Sequence, residues 1–335
     1  MALRVMQIYV PQASGESLDE LVEEETVLGR WQDDEAKQIV LHLLVPAEET
    51  EPIMDRFEQR FSAAEGFHVI LFPVEAALPR PKAEPKEESV PSDEDEKKNE
   101  HQRISREELY NEAVESLGIS GVYLGLIVLS SIVAAVGLLR GDVAVIIGAM
   151  VIAPLLGPNV AMSLATTLGD MELLRRAAAT NLVGILAAWG FAVLVGVLFE
   201  VDPATAEIAA RTEVGWAHIL LALAAGSAGT LAFTRGLAGA VIGVMVAVAL
   251  VPPLVVCGML VGSGNFESAY GAFLLLAANI ICINLAGVAV FFGQGVRPRT
   301  WWEAERAKQA IRKAVLLWFV LLAVLTLILW LNQQV

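Results

Sequence analysis

Two proline-containing hydrophobic stretches constrain this chain more than any other feature. Residues 147–158 read IGAMVIAPLLGP, and residues 242–253 read IGVMVAVALVPP. A proline inside a helix removes a backbone hydrogen bond and costs roughly 3 kcal/mol, and in lipid the freed carbonyl group finds no water. A chain that keeps prolines in membrane-length hydrophobic segments must therefore give those carbonyl groups other partners, or a cavity to face.

Composition places these stretches in a membrane protein with a water-facing amino-terminal part. Hydrophobic residues make up 56% of the 335 residues, and the mean hydropathy is +0.59. Residues 1–119 hold 28 acidic and 12 basic side chains, a balance of −16, whereas residues 120–335 hold 10 and 11, a balance of +1. The acidity of the water-facing part argues against a nucleic-acid partner and against docking on anionic lipid. The lipid bilayer itself is the partner that the composition requires.

Cysteine and histidine indicate no reactive site. The two cysteines, Cys257 and Cys282, lie in hydrophobic segments, and the four histidines are scattered without the spacing of metal ligands. We therefore expect no disulfide, no metal and no cofactor. The amino terminus lacks the continuous apolar segment of a signal peptide, so the first membrane span is expected to direct insertion.

Residues 1–78 predict a soluble α+β domain. The segments LRVMQIYV, TVLGRW, QIVLHLLV and FHVILFPV favour strands, and GESLDELVEEE and TEPIMDRFEQRFSAA favour amphipathic helices. The order β-α-β-β-α-β predicts a ferredoxin-like fold. Residues 79–104, rich in proline and charge, predict a disordered linker. Ser105 and Glu108 then predict a capping box at the start of a helix.

The rest of the chain predicts an α-helical polytopic membrane domain with about seven spans. Each span is near the twenty apolar residues that a bilayer requires. The spans are expected at residues 120–139, 143–168, 176–199, 214–234, 237–262, 269–292 and 314–331. The seventh span belongs to a separate segment, residues 296–335, which begins with a basic amphipathic stretch.

Basic residues in the loops set the expected orientation. If the amino terminus is cytoplasmic, nine Lys and Arg side chains fall in inside loops and only two, Arg140 and Arg211, fall outside. The positive-inside rule therefore predicts a multi-pass protein of the inner (cytoplasmic) membrane with a cytoplasmic amino terminus.

The two opening stretches align at a constant offset of 95 residues. The matched pairs include Gly148 with Gly243, Pro158 with Pro253 and Gly169 with Gly264, and after a further three-residue shift Asn181 with Asn279. The alignment predicts two copies, about residues 120–199 and 214–292, within a membrane domain of residues 105–295. Because each copy holds three spans, the second would lie inverted, as in many secondary transporters.

The proline pairs predict a broken helix in the middle span of each copy, with carbonyl groups and half-helix ends facing a cavity near the bilayer centre. The alternative is a pair of kinks that neighbouring helices satisfy, with no site. The candidate substrate-binding residues are Pro154, Gly157, Pro158, Asn159, Ser163, Asn181, Pro252, Pro253 and Asn279. Half-helix N-termini favour anions and free carbonyl groups favour cations, so the charge of the substrate stays open.

No Asp, Glu, Lys or His lies at mid-span, which disfavours a proton relay and an intramembrane enzyme. The expected function is instead a secondary transporter or channel-like permease for a small solute or ion, assembled as a homo-oligomer. The alternative is a membrane-anchored sensor or scaffold whose ferredoxin-like domain binds an effector or mediates oligomerisation.

The segment IIGAMVIAPLLGPNVAMSLA, with the Gly-Asp pair downstream, resembles the signature of a bacterial and archaeal membrane family called domain of unknown function 389. The resemblance covers roughly residues 115–295 and implies a polytopic hydrophobic domain, often with a soluble region attached. The family pattern has serine before the first proline, where this chain has Ala153. The resemblance implies no substrate and no catalytic residue.

Overall fold

The structure is a computed structural model of the chain. It describes residues 3–11, 22, 27–35, 38–74, 104–236, 239–297, 315–316, 318–324 and 326–327, with only the backbone path for 239–249. The chain divides into two compact units, Met1–Glu108 and Leu109–Val335.

The amino-terminal unit is built on an antiparallel four-stranded sheet of order β2-β3-β1-β4. Its strands are β1 (Leu3–Pro11), β2 (Gly29–Glu35), β3 (Gln38–Pro46) and β4 (His68–Val74), and helix α1 (Thr50–Phe61) lies between β3 and β4 in the chain. Alternate residues of β1, Met6 and Ile8, are buried in one core with Ile53 and Phe57 of α1. One buried face gives the period-two pattern from which the strands were predicted.

Four strands occur where four were predicted, and the helix at residues 50–61 is confirmed. The second strand is shifted, because it begins at Gly29 and continues through residues 32–35, QDDE, where the sequence favoured a turn. The other predicted helix, GESLDELVEEE, lies outside the described residues except for Val22, and so does nearly all of the predicted linker at residues 79–104. The ferredoxin-like assignment therefore stays a prediction, whereas the small antiparallel sheet is observed.

Helix α2 (Arg106–Glu115) begins at the predicted capping box. The backbone N–H of Glu108 donates to Ser105 Oγ at 3.3 Å, and the N–H of Ser105 donates to Glu108 Oε2 at 3.2 Å. This reciprocal pair satisfies two backbone donors that have no partner within the helix, and it confirms the capping box. Glu108 also accepts a hydrogen bond from Nε of Arg4 in β1 at 2.7 Å.

Arg106 fastens the start of α2 to α1. Its guanidinium lies 2.8 Å from Glu107 and 3.4 Å from Asp55, and the residue is only 8% exposed. Burial acts to lower the pKa of Arg106, but the carboxylates of Glu107, Glu51 and Asp55 outweigh it, so the pKa is raised. The buried guanidinium therefore stays charged because it is surrounded by acids.

The second unit is helical. Its helices are α3 (Gly121–Arg140), α4 (Val143–Ile152), α5 (Leu156–Leu168), α6 (Met171–Leu198), α7 (Ala206–Ala209), α8 (Trp216–Thr234), α9 (Gly239–Gly262) and α10 (Phe266–Gly293). Within the parts of the chain that the structure describes, α3, α6, α8 and α10 are each long and apolar enough to cross a membrane. The bent pair of α4 and α5 together forms a fifth candidate span.

Several apolar helices make this a multi-pass membrane protein, but the predicted number of seven spans is not established. The side chains of α9 are described only from residue 250, and that part is a shorter apolar helix. The predicted seventh span, residues 314–331, falls largely outside the described residues.

The Gly-Asp pair of the family signature is a turn between two helices. Gly169 ends α5 with φ +71°, a conformation that favours glycine, and Asp170 Oδ1 accepts the N–H groups of Glu172 and Leu173 at the start of α6. The other carboxylate oxygen accepts the hydroxyl of Tyr110 in α2 at 3.1 Å. Burial and the Asp170 carboxylate raise the pKa of Tyr110.

Small residues bring α9 close to α6. A methyl group at Gly258 would overlap Ala192 and the carbonyl group of Trp189, and one at Gly262 would overlap the carbonyl group of Val193. Only glycine permits this backbone approach, as is common where helices pack closely in membranes.

Candidate functional site

The first proline pair breaks a span at Ala153–Leu155. Helix α4 ends at Ile152, and Ala153 adopts an extended conformation with φ −71° and ψ 119°. A residue before proline is pushed out of the helical region by contact with the proline ring, so Pro154 accounts for the break. Helix α5 then leaves at an angle of 56° to α4.

Pro158 does not cause the break. It is the third residue of α5, and the first four backbone N–H groups of a helix have no partner inside that helix. A proline in this turn therefore costs no helical hydrogen bond. The predicted helix break at the first proline pair is confirmed, but Pro154 is the residue that produces it.

The carbonyl groups at the end of α4 gain a partner from α3. The hydroxyl of Ser130 donates to the carbonyl oxygen of Ala149 at 2.7 Å, and both residues are buried. In an unbroken helix that oxygen would accept the N–H of Ala153. Ser130 thus replaces one hydrogen bond that the break removes, and it was absent from the predicted site because it lies on another helix.

Three buried asparagines meet at the first turn of α5. Asn159 is fully buried, and its Oδ1 accepts hydrogen bonds from Nδ2 of Asn181 in α6 at 3.1 Å and Nδ2 of Asn284 in α10 at 3.0 Å. Nδ2 of Asn159 donates to the carbonyl oxygen of Leu155 at 2.8 Å. The amide thus joins α6 and α10 to the broken end of α5.

Ser163 completes this polar cluster, which we define as Asn159, Ser163, Asn181 and Asn284. Its hydroxyl lies 3.1 Å from the carbonyl oxygen of Asn159 and 3.3 Å from both the carbonyl oxygen and Oδ1 of Asn284. The cluster offers neutral amide and hydroxyl groups only. It can therefore bind a polar solute or a cation by exchanging hydrogen bonds, but it holds no group that titrates near neutral pH.

Gly157 lies at the same turn but is a packing residue. A methyl group built on it would lie 2.5 Å from Cβ and 2.7 Å from Oγ of Ser116, in the segment between α2 and α3. The structure therefore brings together Pro154, Gly157, Pro158, Asn159, Ser163 and Asn181 from the predicted set, and adds Asn284.

The second proline pair does not break its span. Helix α9 runs without interruption from Gly239 to Gly262 and contains Pro252 and Pro253. The neighbouring side chains of Leu250, Val251 and Leu254 are buried in the main core of the membrane unit. Packing on both sides of the prolines keeps the helix intact despite the two lost N–H donors, so the prediction of two equivalent broken helices is wrong for this copy.

Asn279 and Pro253 lie at a different place, on the wall of a cavity of about 460 Å³. The cavity is also lined by Glu207, Arg211 and His218. Pro252 is buried in α9 and lines neither this cavity nor the polar cluster. No group of three or more His, Cys, Asp or Glu side chains that could hold a metal ion occurs in the described part of the chain.

A family model described as Domain of unknown function (DUF389) matches residues 150–285, a range that includes the break and the whole polar cluster. The chain is 32% identical over 333 residues to a protein of Methanocaldococcus jannaschii named "Uncharacterized protein MJ0678", covering 98% of this chain and 100% of that protein. No solved structure matches the chain.

Proposed function

The chain belongs to the DUF389 family of membrane proteins, and from this premise we propose that it is a secondary transporter or channel-like permease for a small solute or ion. Its substrate would bind where the polar cluster meets the broken span. The observation that carries the proposal is the α4–α5 break with three asparagines buried at the first turn of α5.

The polar cluster lies inside the expected spans, on the cytoplasmic side of the bilayer centre. Asn181 follows the start of the span expected at residues 176–199 by five residues, and Asn284 precedes the end of the span expected at residues 269–292 by eight. At 1.5 Å per residue, these positions are about 7.5 Å and about 12 Å from the same side of a hydrocarbon core about 30 Å thick. Amides buried among membrane helices are costly unless paired, and they are typical of substrate pathways.

The helix bounds support an internal duplication. The helices α3, α4 and α6 begin at residues 121, 143 and 171, and α8, α9 and α10 begin at 216, 239 and 266, offsets of 95, 96 and 95. Helix packing has the same symmetry, since α5 packs on α10 just as α9 packs on α6. Two inverted three-span copies of this kind can exchange conformations and open a central site to either side.

The two copies contribute unequally to the proposed site. At the offset of 95, Asn159 corresponds to Leu254 and Ser163 to Gly258. Leu254 lines an apolar groove of about 470 Å³ together with Trp189 and Phe273. In this proposal the first copy supplies three of the four side chains of the polar cluster, the second copy supplies Asn284, and the continuous α9 is the scaffold against which α5 moves.

Uptake by proteoliposomes tests the proposal with a matched pair of variants. Asn159→Leu removes the amide at the centre of the polar cluster. Thr167→Val is the control, because Thr167 is equally buried in α5 and, among the described residues, its hydroxyl bonds only to the carbonyl oxygen of Ser163 in the same helix. For a panel of labelled small anions, cations and neutral solutes, we expect Asn159→Leu to lower flux roughly tenfold or more and Thr167→Val to keep it. Equal flux in both variants and the parent would remove the polar cluster from the pathway.

The proposal includes the orientation of the chain in the membrane. Nine basic residues on one side against two on the other support a cytoplasmic amino terminus in the inner membrane. Ala206 is exposed at the start of α7, so a cysteine there should react with an impermeant thiol reagent added outside intact cells. Labelling only after the membrane is opened would reverse the assignment.

A sensor or scaffold is the second candidate, and the sheet of the amino-terminal unit favours it. Trp31, Ile70 and Phe72 lie on the sheet face opposite α1 and are 46%, 42% and 43% exposed. An open apolar face is common where ferredoxin-like domains pair or bind effectors. Phe72→Ser should then lower the mass of the homo-oligomer in native mass spectrometry while leaving flux unchanged, and an unchanged mass would count against this role.

A further inference from the structure

A second polar site lies outside the polar cluster, in the cavity of about 460 Å³ among α7, α8, α9 and α10. Its volume is in the range of small-molecule sites. One part of its wall carries Glu207, Arg211 and His218, and the rest is mostly apolar, with Leu221, Ala222 and Leu275. The cavity therefore presents charged groups to one part of a ligand and hydrocarbon to another.

The charged part of the wall is an acid–base pair. Nη1 of Arg211 donates to Glu207 Oε2 at 2.7 Å, and the two side chains are only 19% and 22% exposed. Within the described residues, this nitrogen carries all the hydrogen bonds of the guanidinium, so Nε and Nη2 remain available to a ligand. An arginine fork of this kind matches the two oxygens of a carboxylate.

His218 adds a donor. Its Nδ1 accepts the backbone N–H of Gly215 at 3.1 Å, so the neutral ring carries its proton on Nε2. Asn279 supplies an amide to the same wall. The wall thus combines several donors with a single carboxylate.

We propose that this cavity binds a small zwitterion with an aliphatic group, of the α-amino acid type. The ligand carboxylate would pair with Arg211 and the ligand ammonium with Glu207, while the aliphatic group lies against Leu221 and Leu275. The Glu207–Arg211 pair has no net charge, so a lone anion or cation would leave an uncompensated charge in a partly enclosed space. A zwitterion leaves none, and both of its charges are matched.

The inference deepens the proposed transport function and rests on it, because it names the solute class and its entry site. Asn279 in the cavity wall precedes Asn284 of the polar cluster by five residues of α10, an axial distance of about 7.5 Å. The two amides point about 140° apart around α10, so the cavity and the polar cluster lie on different faces of this one helix.

Equilibrium binding to the full chain in lipid nanodiscs tests the inference without any need for flux. The probes are L-leucine, 4-methylpentanoate, which lacks the ammonium, and 3-methylbutylamine, which lacks the carboxylate. We expect L-leucine to bind and the other two to bind at least about tenfold more weakly. Equal binding of either single-charge probe to the parent protein would overturn the zwitterion assignment, as would no binding of L-leucine.

Each charge-neutralising variant of the ion pair should weaken the binding of L-leucine and strengthen the binding of one single-charge probe. Arg211→Gln and Glu207→Gln should each weaken L-leucine binding at least about tenfold, but Glu207→Gln should improve binding of 4-methylpentanoate and Arg211→Gln that of 3-methylbutylamine. The control is Glu172→Gln with Arg176→Gln, an equally spaced ion pair at 2.8 Å that is 77% and 63% exposed and lies outside the cavity.

The outcomes separate this inference from the transport proposal. Binding of L-leucine that follows the sign pattern, without flux in proteoliposomes, would uphold the cavity as a zwitterion site and overturn transport. Flux of a solute whose binding ignores Glu207 and Arg211 would uphold transport and overturn the cavity assignment.

Discussion

The contact between Gly157 and Ser116 gives a quantitative test of how the broken span is held. In Gly157→Ala the added methyl carbon would lie 2.5 Å from Ser116 Cβ and 2.7 Å from Ser116 Oγ. Carbon atoms pack best at about 3.5–4.0 Å, so the overlap is about 1 Å. The serine cannot rotate its Cβ away, and its hydroxyl is bonded to the carbonyl oxygen of Ala113 at 2.6 Å. The backbone must shift, at a cost of about 1–3 kcal/mol.

Ser116→Gly should relieve that cost in the double variant. It removes both overlapping atoms and leaves Ser116 Cα 3.7 Å from the new methyl group, an ordinary contact. Alone it should destabilise the protein by about 1 kcal/mol through a lost hydrogen bond and a more flexible backbone. The double-mutant cycle should therefore show a favourable coupling free energy of about 1–3 kcal/mol.

The assay is reversible unfolding in mixed micelles followed by tryptophan fluorescence. Gly148→Ala is the control, because a methyl group there meets no atom within 4 Å and α4 is otherwise regular. It should be neutral or stabilising by about 0.5–1 kcal/mol. If the changes in the free energy of unfolding caused by Gly157→Ala and Ser116→Gly are additive, the contact does not hold the start of α5. The same conclusion follows if Gly157→Ala destabilises the protein no more than Gly148→Ala does.

Three further perturbations test other contacts. In the same assay, Ser130→Ala should lower the free energy of unfolding by about 1–3 kcal/mol, because it removes the hydrogen bond to the carbonyl oxygen of Ala149. Ser131→Ala should lower it by less, because the hydroxyl of Ser131 bonds to the carbonyl oxygen of Ile127 within α3. Arg106→Met should lower it by about 1–3 kcal/mol, seen as faster hydrogen exchange in α2 and not in α6, because partly buried carboxylates lose their cation. Because the pKa of Tyr110 is raised in the folded protein, its contribution to stability is full below about pH 10, the usual tyrosine value, and is lost as pH rises through the raised pKa. Tyr110→Phe should therefore flatten the alkaline limb of stability and remove one tyrosinate absorbance change.

Local features of the candidate site could be predicted from the sequence because their causes are local. The conformation of Ala153 follows from the ring of Pro154, and the turn at Gly169 and Asp170 follows from a positive φ and a capping carboxylate. Asn159 and Ser163 share one face of α5 because four residues separate them. These elements required no knowledge of the helix partners.

The partners, and the fate of the second proline pair, were decided only by tertiary structure. Asn279 and Asn284 differ by five residues, so they point about 140° apart around α10, and only one of them could face α5. The packing of α10 on α5 and α8 selects Asn284 for the polar cluster and leaves Asn279 in the cavity. Pro252 and Pro253 carry the same local preference against a helix as Pro154, but contacts of α9 with α6 and α10 outweigh it. A backbone preference of a few kcal/mol determines structure only where packing does not oppose it.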